Sequence, residues 1–355
     1  MQPALAALGE ATQRYLAQRW PQRKNLQITD VQQIPGGASR ETYRLNAEFV
    51  EDGIATRRGF ILRRDPPSSL IDTDRAWEFR TYAAVYPTAV PVPEPLILEE
   101  NPGELLRPFS ITAEIPGCES SIAMFNAPPY SELKEHIGTQ KWSILGRLAA
   151  MDPAALGVTQ FMDVPDVGGC AVRELDYWAG VIAADALHPQ PIAAAAIRWL
   201  RRELPPPAQK LALVHGDYRS GNFLYDPTGA IRGVLDWEMA HIGDPLEDLA
   251  WSLDPLWGWP ERHLAGALLP RKRAIAIWES ASGLTCDPAA FRWWQVFASV
   301  KALAIWISST EDFANGSTKE PILAMAGWVM TDRQNRILID RLAPDSGNRY
   351  AEPLV

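Results

Sequence analysis

Cysteine is scarce in this chain of 355 residues: Cys118, Cys170 and Cys286 stand far apart, and none belongs to a Cys-x-x-Cys pair. That excludes a disulfide framework and a cysteine-ligated zinc site, and it suits a reducing cytosol. Long apolar runs are missing too; none approaches the ~18 residues of a membrane span, so no membrane partner is expected. Residues 4–19 carry Glu10, Arg14 and Arg19 on an amphipathic pattern, where a cleavable signal needs an apolar core. There is no excess of positive charge. The net charge of -9 excludes a general nucleic-acid binder, and the chain is expected to be cytoplasmic with no nucleic-acid partner. The acidic balance permits a cationic substrate, but solubility is the commoner reason for it. Neither the P-loop pattern nor Gly-x-Gly-x-x-Gly occurs, which removes the P-loop and dinucleotide-binding readings. Internal repeats and low-complexity tracts are absent as well.

What remains is a composition of 47% hydrophobic and 22% charged residues, with fourteen tryptophans, most of which cluster after residue 178. A chain of this length divides into more than one core. The pattern predicts a helix over 4–19, strands over 26–34, 41–50 and 58–64, and a helix over 73–86. Pro-Val-Pro-Glu-Pro at 91–95 is extended, because proline fixes its own φ and restrains its predecessor. One or two strands follow over 105–115, and Pro116-Gly117 break the chain. Helical periodicity then dominates: 131–150, 172–186, 190–203, 246–253, 262–282, 289–310 and 319–339. A hairpin interrupts it, with strands 222–225 and 231–237 around a turn at 226–229. The expected organisation is α+β, with a small β-rich N-lobe over 1–113, a helical C-lobe over 114–355, and a join near 112–118.

The densest chemistry lies in Leu213-Val-His-Gly-Asp-Tyr-Arg-Ser-Gly-Asn222 and in Gly233-Val-Leu-Asp236. Phosphoryl transfer involves little covalent chemistry and much charge: the γ-phosphoryl group must be held in line and its oxygens neutralised. A loop that offers one aspartate, then an asparagine five residues later, then a second carboxylate on the next strand meets that need. Asp217 is placed to orient or deprotonate an acceptor hydroxyl. Asn222 and Asp236 offer the hard oxygens that Mg²⁺ prefers. Arg219, two residues past Asp217, is placed to reach the moving phosphoryl group. His215 reads as a support for the loop. Singly, each of these is an ordinary turn or cap residue; it is the set that points to a site.

That loop, with Leu-Asp-Trp-Glu-Met-Ala-His-Ile-Gly-Asp-Pro-Leu-Glu-Asp-Leu-Ala-Trp over 235–251, resembles the signature of the aminoglycoside phosphotransferase family. It is most similar to the branch of kinase-like domains joined to acyl-CoA dehydrogenases. The resemblance runs from about residue 28 to 330. It implies the protein-kinase fold, Asp217 as catalytic base, and Asn222 and Asp236 as metal ligands. Asp244 and Asp248 fall in the same block and are expected to lock the catalytic loop onto the following helix, with Trp237 packing beneath. Asp236 leads within eight residues to Gly243-Asp-Pro, which leaves no room for the regulated loop of a protein kinase.

The nucleotide is expected on the N-lobe. Gly36, Gly37 and Ser39, between two strand-like runs, allow a backbone to approach phosphates. Arg63 stands at the strand position where the kinase pattern has lysine, with Glu78 on the next helix as its partner. Thr112 and Glu114 mark the strand whose backbone is expected to bond the base, leaving ATP and GTP both open. Arg173, Tyr177, Trp178, Lys301, Trp306, Glu311 and Asp312 are candidates for the acceptor pocket. Arg292, Lys301, Trp293, Trp294 and Trp306 suit an anionic or amphipathic hydroxyl compound, such as a hydroxyacyl-CoA, better than a polycation. The alternatives are an aminoglycoside antibiotic kinase and a nucleotide-binding regulator without turnover. Oligomeric state is not encoded in any of these features.

Overall fold

A computed structural model describes residues 3–34, 41–65, 75–101, 103–258, 261–318 and 321–343. Gly36, Gly37 and Ser39 lie outside the described residues. The chain forms two compact units: residues 1–119 with 232–238, and residues 120–231 with 239–355.

The smaller unit opens with α1 (Pro3–Arg19) and three long strands, β1 (Lys24–Ile34), β2 (Glu41–Glu51) and β3 (Ile54–Arg64). Period-2 alternation decides which face of β2 is buried: Tyr43, Leu45, Ala47 and Phe49 point inward while their neighbours do not. Asp52 and Gly53, at φ 50° and 79°, form the two-residue turn between β2 and β3, a conformation that matches strand twist and favours glycine. Helix α2 (Arg75–Val85), β4 (Pro95–Glu99) and β5 (Phe109–Ala113) complete the unit. The sheet is antiparallel in the order β1-β2-β3-β5-β4. Its core gathers Leu8 and Leu16 of α1 with Leu45, Phe60, Leu62, Ile97, Phe109 and Ile111. Residues 232–238 join this unit through the Val234 amide, which donates to the Pro91 carbonyl at 2.8 Å.

The larger unit is mostly helical, with α3 (Lys134–Ala150), α4 (Cys170–Asp185) and α5 (Pro191–Arg202) first. Short strands follow: β6 (Ala212–Val214), β7 (Phe223–Tyr225), β8 (Ile231–Val234, which leaves this unit after Ile231) and β9 (His241–Gly243). Strand β6 pairs antiparallel with β9, and α6 (Leu246–Ser252) comes next. The expected helix over 262–282 is shorter than its pattern suggested. Its first turns are instead a small hairpin, β10 (Leu264–Ala265) and β11 (Leu269–Pro270), before α7 (Arg271–Ser282). Gly266 and Ala267, both at positive φ, make that turn, and Pro270 bars a helix from running through it. The 27-residue α8 (Pro288–Ala314) is buried almost all round from Phe291 to Leu303, mostly by apolar side chains, as suits a helix at the centre of a core. Asp287 caps it by accepting from the Ala290 amide at 2.8 Å. Helix α9 (Pro321–Leu342) packs against α8. Among the described residues, no helix is long and apolar enough to cross a membrane.

Candidate active site

In the larger unit the loop after β6 carries His215, Gly216, Asp217, Arg219 and Asn222. Gly216 sits at φ 84°, and a Cβ there would lie 2.4 Å from the Met239 carbonyl oxygen, so both conformation and space require glycine. The loop is clamped from α6. Asp248 accepts from the amides of His215 at 2.6 Å and Gly216 at 3.0 Å. Burial pushes the Asp248 carboxyl up to about 6, while those two amides pull it the other way. Asp244 accepts from the Leu246 amide, which starts α6, and from the Trp294 indole. The fully buried His215 accepts the Asp217 amide at Nδ1, 3.1 Å away, so that nitrogen works within the loop.

Three side chains converge on the Asp217 carboxylate. Trp251 Nε1 donates to Oδ1 at 2.9 Å; Arg219 Nε and Asn222 Nδ2 donate to Oδ2 at 2.9 and 2.7 Å. Arg219 therefore folds back on Asp217, with its guanidinium over the Trp257 ring at 5.6 Å. Asn222 Nδ2 also donates to the Asp217 carbonyl, which turns Oδ1 to the other side of the amide.

Behind the loop lies Lys141 of α3, wholly buried. Its Nζ donates to Ser220 Oγ at 3.0 Å and faces the rings of Trp142, Phe223 and Tyr218 at 5.1, 5.4 and 5.9 Å. Burial, then the nearby Arg219 charge, push it down to about 7; Asp217 acts the other way.

In the smaller unit Arg63 of β3 ion-pairs with the buried Glu78 of α2 and lies 3.7 Å from Asp236 Oδ1. Burial opposes its charge, but Glu78 and then Asp236 outweigh it, so its pKa is raised. Asp236 has φ 69°, a conformation that side-chain-bearing residues rarely adopt, and its amide donates to the Tyr82 hydroxyl at 3.0 Å. Trp237 is buried, with its indole on the Val234 carbonyl. Thr112 lies inside the sheet, in register with Ile61 on one side and Pro95 on the other. The amide of Glu114 donates to Gly59, and its carboxylate pairs with Arg44 at 2.8 Å. The amides of Ala113 and Glu114 are thus committed to strand pairing, to Glu94 and Gly59.

The structure sets Tyr177 and Lys301 of the expected acceptor candidates against Trp178, and gives most of the charged candidates partners of their own. Lys301 is buried and paired with Glu247 at 2.9 Å, so its charge is met internally. Arg173 donates to the Ile242 carbonyl and to Glu174. Arg292 lies over Trp199. Tyr177 is exposed and set edge-on to Trp178. Glu311 accepts from Asn315, and Asp312 is raised by burial and by the charges of Glu311 and Asp185.

Glu174, His241 and Glu247 sit close enough to suggest a metal site. Their partners say otherwise. Lys301 holds Glu247 and Arg173 holds Glu174, while His241 faces Met239 O at Nδ1 and Glu247 at Nε2. An imidazole between two acceptors is a double donor, hence a cation. Burial opposes that charge, but Glu174 and Glu247 push the pKa of His241 up to about 9. The cluster is a closed ion network.

A model of the phosphotransferase enzyme family, APH, matches residues 30–284. The chain belongs to that family. Among relatives of this APH chain, acyl-CoA dehydrogenase family member 11 of Rattus norvegicus is 29% identical over 252 residues, covering 66% of this chain and 29% of that protein. The chain spans 20% to 35% of the length of the curated relatives it matches. A candidate aminoglycoside phosphotransferase of Ralstonia eutropha JMP134 superposes with a TM-score of 0.70 at 20% identity, covering 92% of this chain and 95% of that one. An amicoumacin kinase solved with AMP-PNP, Ca²⁺ and its ligand gives a TM-score of 0.55 at 13% identity, with 96% of each chain covered. These likenesses establish the kinase-like α+β fold.

Three residues beside the predicted ones receive no role from the motifs. Trp251, the indole on Asp217, is three residues past Asp248, on the same face of α6; that spacing is its signal. Tyr82 stands on α2, four residues past Glu78, and shares its face in the same way. Lys141 has no signal, since a lysine in a helical pattern reads as a solvated one.

Proposed function

We propose that this chain transfers the γ-phosphoryl group of ATP or GTP to a hydroxyl of a small molecule of the hydroxyacyl class. The observation that carries the reading is the Asp217 carboxylate. It is fixed by Trp251, Arg219 and Asn222 on a loop whose backbone Asp248 clamps. A group meant only to close a turn does not recruit three side-chain donors from two elements.

Asp217 accepts a hydrogen bond from the acceptor hydroxyl and takes its proton as the new O–P bond forms and the bond to the leaving diphosphate oxygen breaks. The three donors hold the carboxylate against rotation, so the hydroxyl oxygen is aimed. Arg219 is positioned to turn from Asp217 toward the phosphoryl oxygens. Arg63, held by Glu78, is assigned to the α- and β-phosphates. Gly36, Gly37 and Ser39 are assigned to the phosphates; at Thr112 to Glu114 the amides of Ala113 and Glu114 are taken by Glu94 and Gly59, so a contact with the base there falls to other groups of the chain. Asn222 Oδ1 and the Asp236 carboxylate are hard oxygen donors of the kind that suits Mg²⁺. When bound, Mg²⁺ supplies neutralising charge to the phosphate oxygens.

The hydroxyacyl class is supported by the dehydrogenase relatives and by the tryptophans around Asp217. A second reading, aminoglycoside phosphorylation, is favoured by the mutual proximity of Asp185, Glu311 and Asp312, which would suit an ammonium group. Transfer to hydroxyacyl thioesters and to aminoglycosides, assayed side by side, separates the two.

The test of the site compares wild type with Asp217→Asn and Asp236→Asn. Mg-ATP or Mg-GTP is expected to raise the thermal stability of the wild type and of Asp217→Asn, and much less that of Asp236→Asn. Transfer is expected to fall at least about 100-fold in Asp217→Asn. A wild type unmoved by either nucleotide at millimolar concentration, or near-normal transfer by Asp217→Asn, would sink the proposal.

A further inference from the structure

Helix α2 carries Glu78 and Tyr82 four residues apart, one turn along the same face. Both are buried within the smaller unit. Each is bonded to a different group on the nucleotide side. Glu78 takes the guanidinium of Arg63. The Tyr82 hydroxyl accepts the Asp236 amide at 3.0 Å. Arg63 and Asp236 are neighbours in turn, with Nη2 3.7 Å from Oδ1. One helical turn, a rise of about 6 Å, thus sets two groups at once: the cation assigned to the α- and β-phosphates and the carboxylate assigned to the metal.

Asp236 is a residue that needs holding. Its φ of 69° is left-handed, which costs a side-chain-bearing residue about 1 kcal/mol or more and persists where the surroundings fix it. The chain on either side is tied elsewhere: the Val234 amide donates to the Pro91 carbonyl at 2.8 Å, and the Trp237 indole to the Val234 carbonyl at 3.1 Å. The bond from Tyr82 is the one that acts on the amide of Asp236 itself. The Asp236 side chain meanwhile keeps 32% of its surface open, so the backbone is fixed while the carboxylate stays accessible to a cation. Packing alone does not call for the hydroxyl. Phenylalanine would fill the same space, and a buried hydroxyl is unfavourable unless it is bonded. Burial, then the Glu78 charge, raise the Tyr82 pKa, so the phenol accepts the amide without adding a charge beside Arg63 and Asp236.

We propose that Tyr82 is the positioning residue of the metal carboxylate. Its hydroxyl holds the Asp236 backbone in the conformation that keeps the carboxylate beside Arg63, and α2 ties that carboxylate to the Glu78–Arg63 pair. This inference rests on Asp236 being a metal ligand, and it adds what sets its place. Glu78 then governs the phosphate cation and Tyr82 the metal, so losses at the two positions are separable.

Tyr82→Phe keeps the ring and removes the hydroxyl. The probe is Mn²⁺, which favours the same oxygen ligands as Mg²⁺. Thermal stability is read with whichever of ATP and GTP stabilises the wild type more, first in EDTA and then across a Mn²⁺ titration. In EDTA, Tyr82→Phe is expected to match the wild type, because Glu78 and Arg63 are intact. The Mn²⁺ concentration at half of the further rise is expected to increase about fivefold, the size of one neutral hydrogen bond. Glu78→Gln is expected to do the reverse, weakening the response to nucleotide in EDTA more than the response to Mn²⁺. Tyr82→Leu, which also removes the ring, is expected to lose more stability without ligand than Tyr82→Phe but no more Mn²⁺ affinity. Equal Mn²⁺ dependence in Tyr82→Phe and wild type would overturn the inference and leave Asp236 a metal ligand. So would a loss in EDTA as large as the loss with Mn²⁺, or a Mn²⁺ loss in the two variants that follows their loss of stability; both are marks of a general packing defect. A wild type that Mn²⁺ does not stabilise beyond nucleotide alone refutes the inference together with the metal reading of Asp236.

Discussion

Lys141→Met is a substitution whose sign runs against intuition. A lysine within the catalytic loop's packing looks indispensable, yet its ammonium is wholly buried and, among the described residues, has no carboxylate at ion-pair distance. The fall of its pKa from 10.5 to about 7 measures how poorly the folded state tolerates the charge. At about 1.4 kcal/mol per unit, the ceiling is about 5 kcal/mol. Removing the charge also removes the bond to Ser220 Oγ, worth about 1 kcal/mol, although Ser220 still has the Gly266 carbonyl at 3.3 Å. Methionine matches the stem and suits the aromatic surroundings. Near neutral pH the variant is expected to be more stable by about 1–4 kcal/mol, the range found when buried charges give way to apolar groups.

The pH dependence makes the test sharper. The folded pKa of Lys141 lies below its unfolded value, so from about 7 to 10.5 the unfolded chain binds more protons and stability rises with pH. His241 works in the opposite sense. Its folded pKa is raised from 6.5 to about 9, so its contribution is whole below 6.5 and lost as pH rises through 9. In the wild type the two slopes oppose one another between about 7 and 9; in Lys141→Met the falling slope stands alone. Urea denaturation from about pH 6 to about pH 10 reads both effects. A variant destabilised at every pH, with the wild-type slope, would refute the reasoning and make the Lys141 charge an asset of the loop.

Three other substitutions follow from the same contacts. His241→Gln is expected to flatten the alkaline loss of stability and to lower stability below pH 6.5 by up to about 3 kcal/mol, checked by the same urea series. Gly216→Ala forces a Cβ against the Met239 carbonyl at a positive φ and is expected to lower stability by more than about 2 kcal/mol and to abolish transfer, checked by thermal unfolding with a transfer assay. Arg63→Lys exchanges a fork that reaches Glu78 and Asp236 together for a single point. A weaker stabilisation by Mg-nucleotide is expected, where a simple kinase-like equivalence predicts no loss.

The strands and helices were legible wherever one periodicity ran uninterrupted, as in β2 with its alternate burial and in α8. The turn at Asp52-Gly53 was legible because its chemistry allows little else. The hairpin at 264–270 was not: Leu264, Ala265, Leu268 and Leu269 fit a helical face as well as a strand, and the positive φ of Ala267 has no residue signal. At the site, a motif names the residues that meet a ligand and stays silent on the packing behind them. Arg63 and Glu78 were readable as a pair, since the kinase pattern fixes the two positions. Lys301 read as a cation for the acceptor because nothing in its own helix reveals that Glu247, fifty-four residues earlier, neutralises it.

That silence has a physical origin in α6, which is seven residues long and buried throughout. A helix this short has too few backbone bonds to be stable alone, so each side chain must find its partner outside. Glu247 takes His241 and Lys301, Asp248 takes the amides of His215 and Gly216, Trp251 takes Asp217, and Ser252 takes the Trp142 indole. One face aims the carboxylate, another ties the loop that follows Asp236, and a third locks to α3. Shifting α6 by one residue would turn every one of these groups away from its partner together. The run from Asp244 to Trp251 reads as a signature because its polar side chains answer to several elements at once, Asp244 and Glu247 to α8 and Asp248 and Trp251 to the loop after β6, and together they hold Asp217 still.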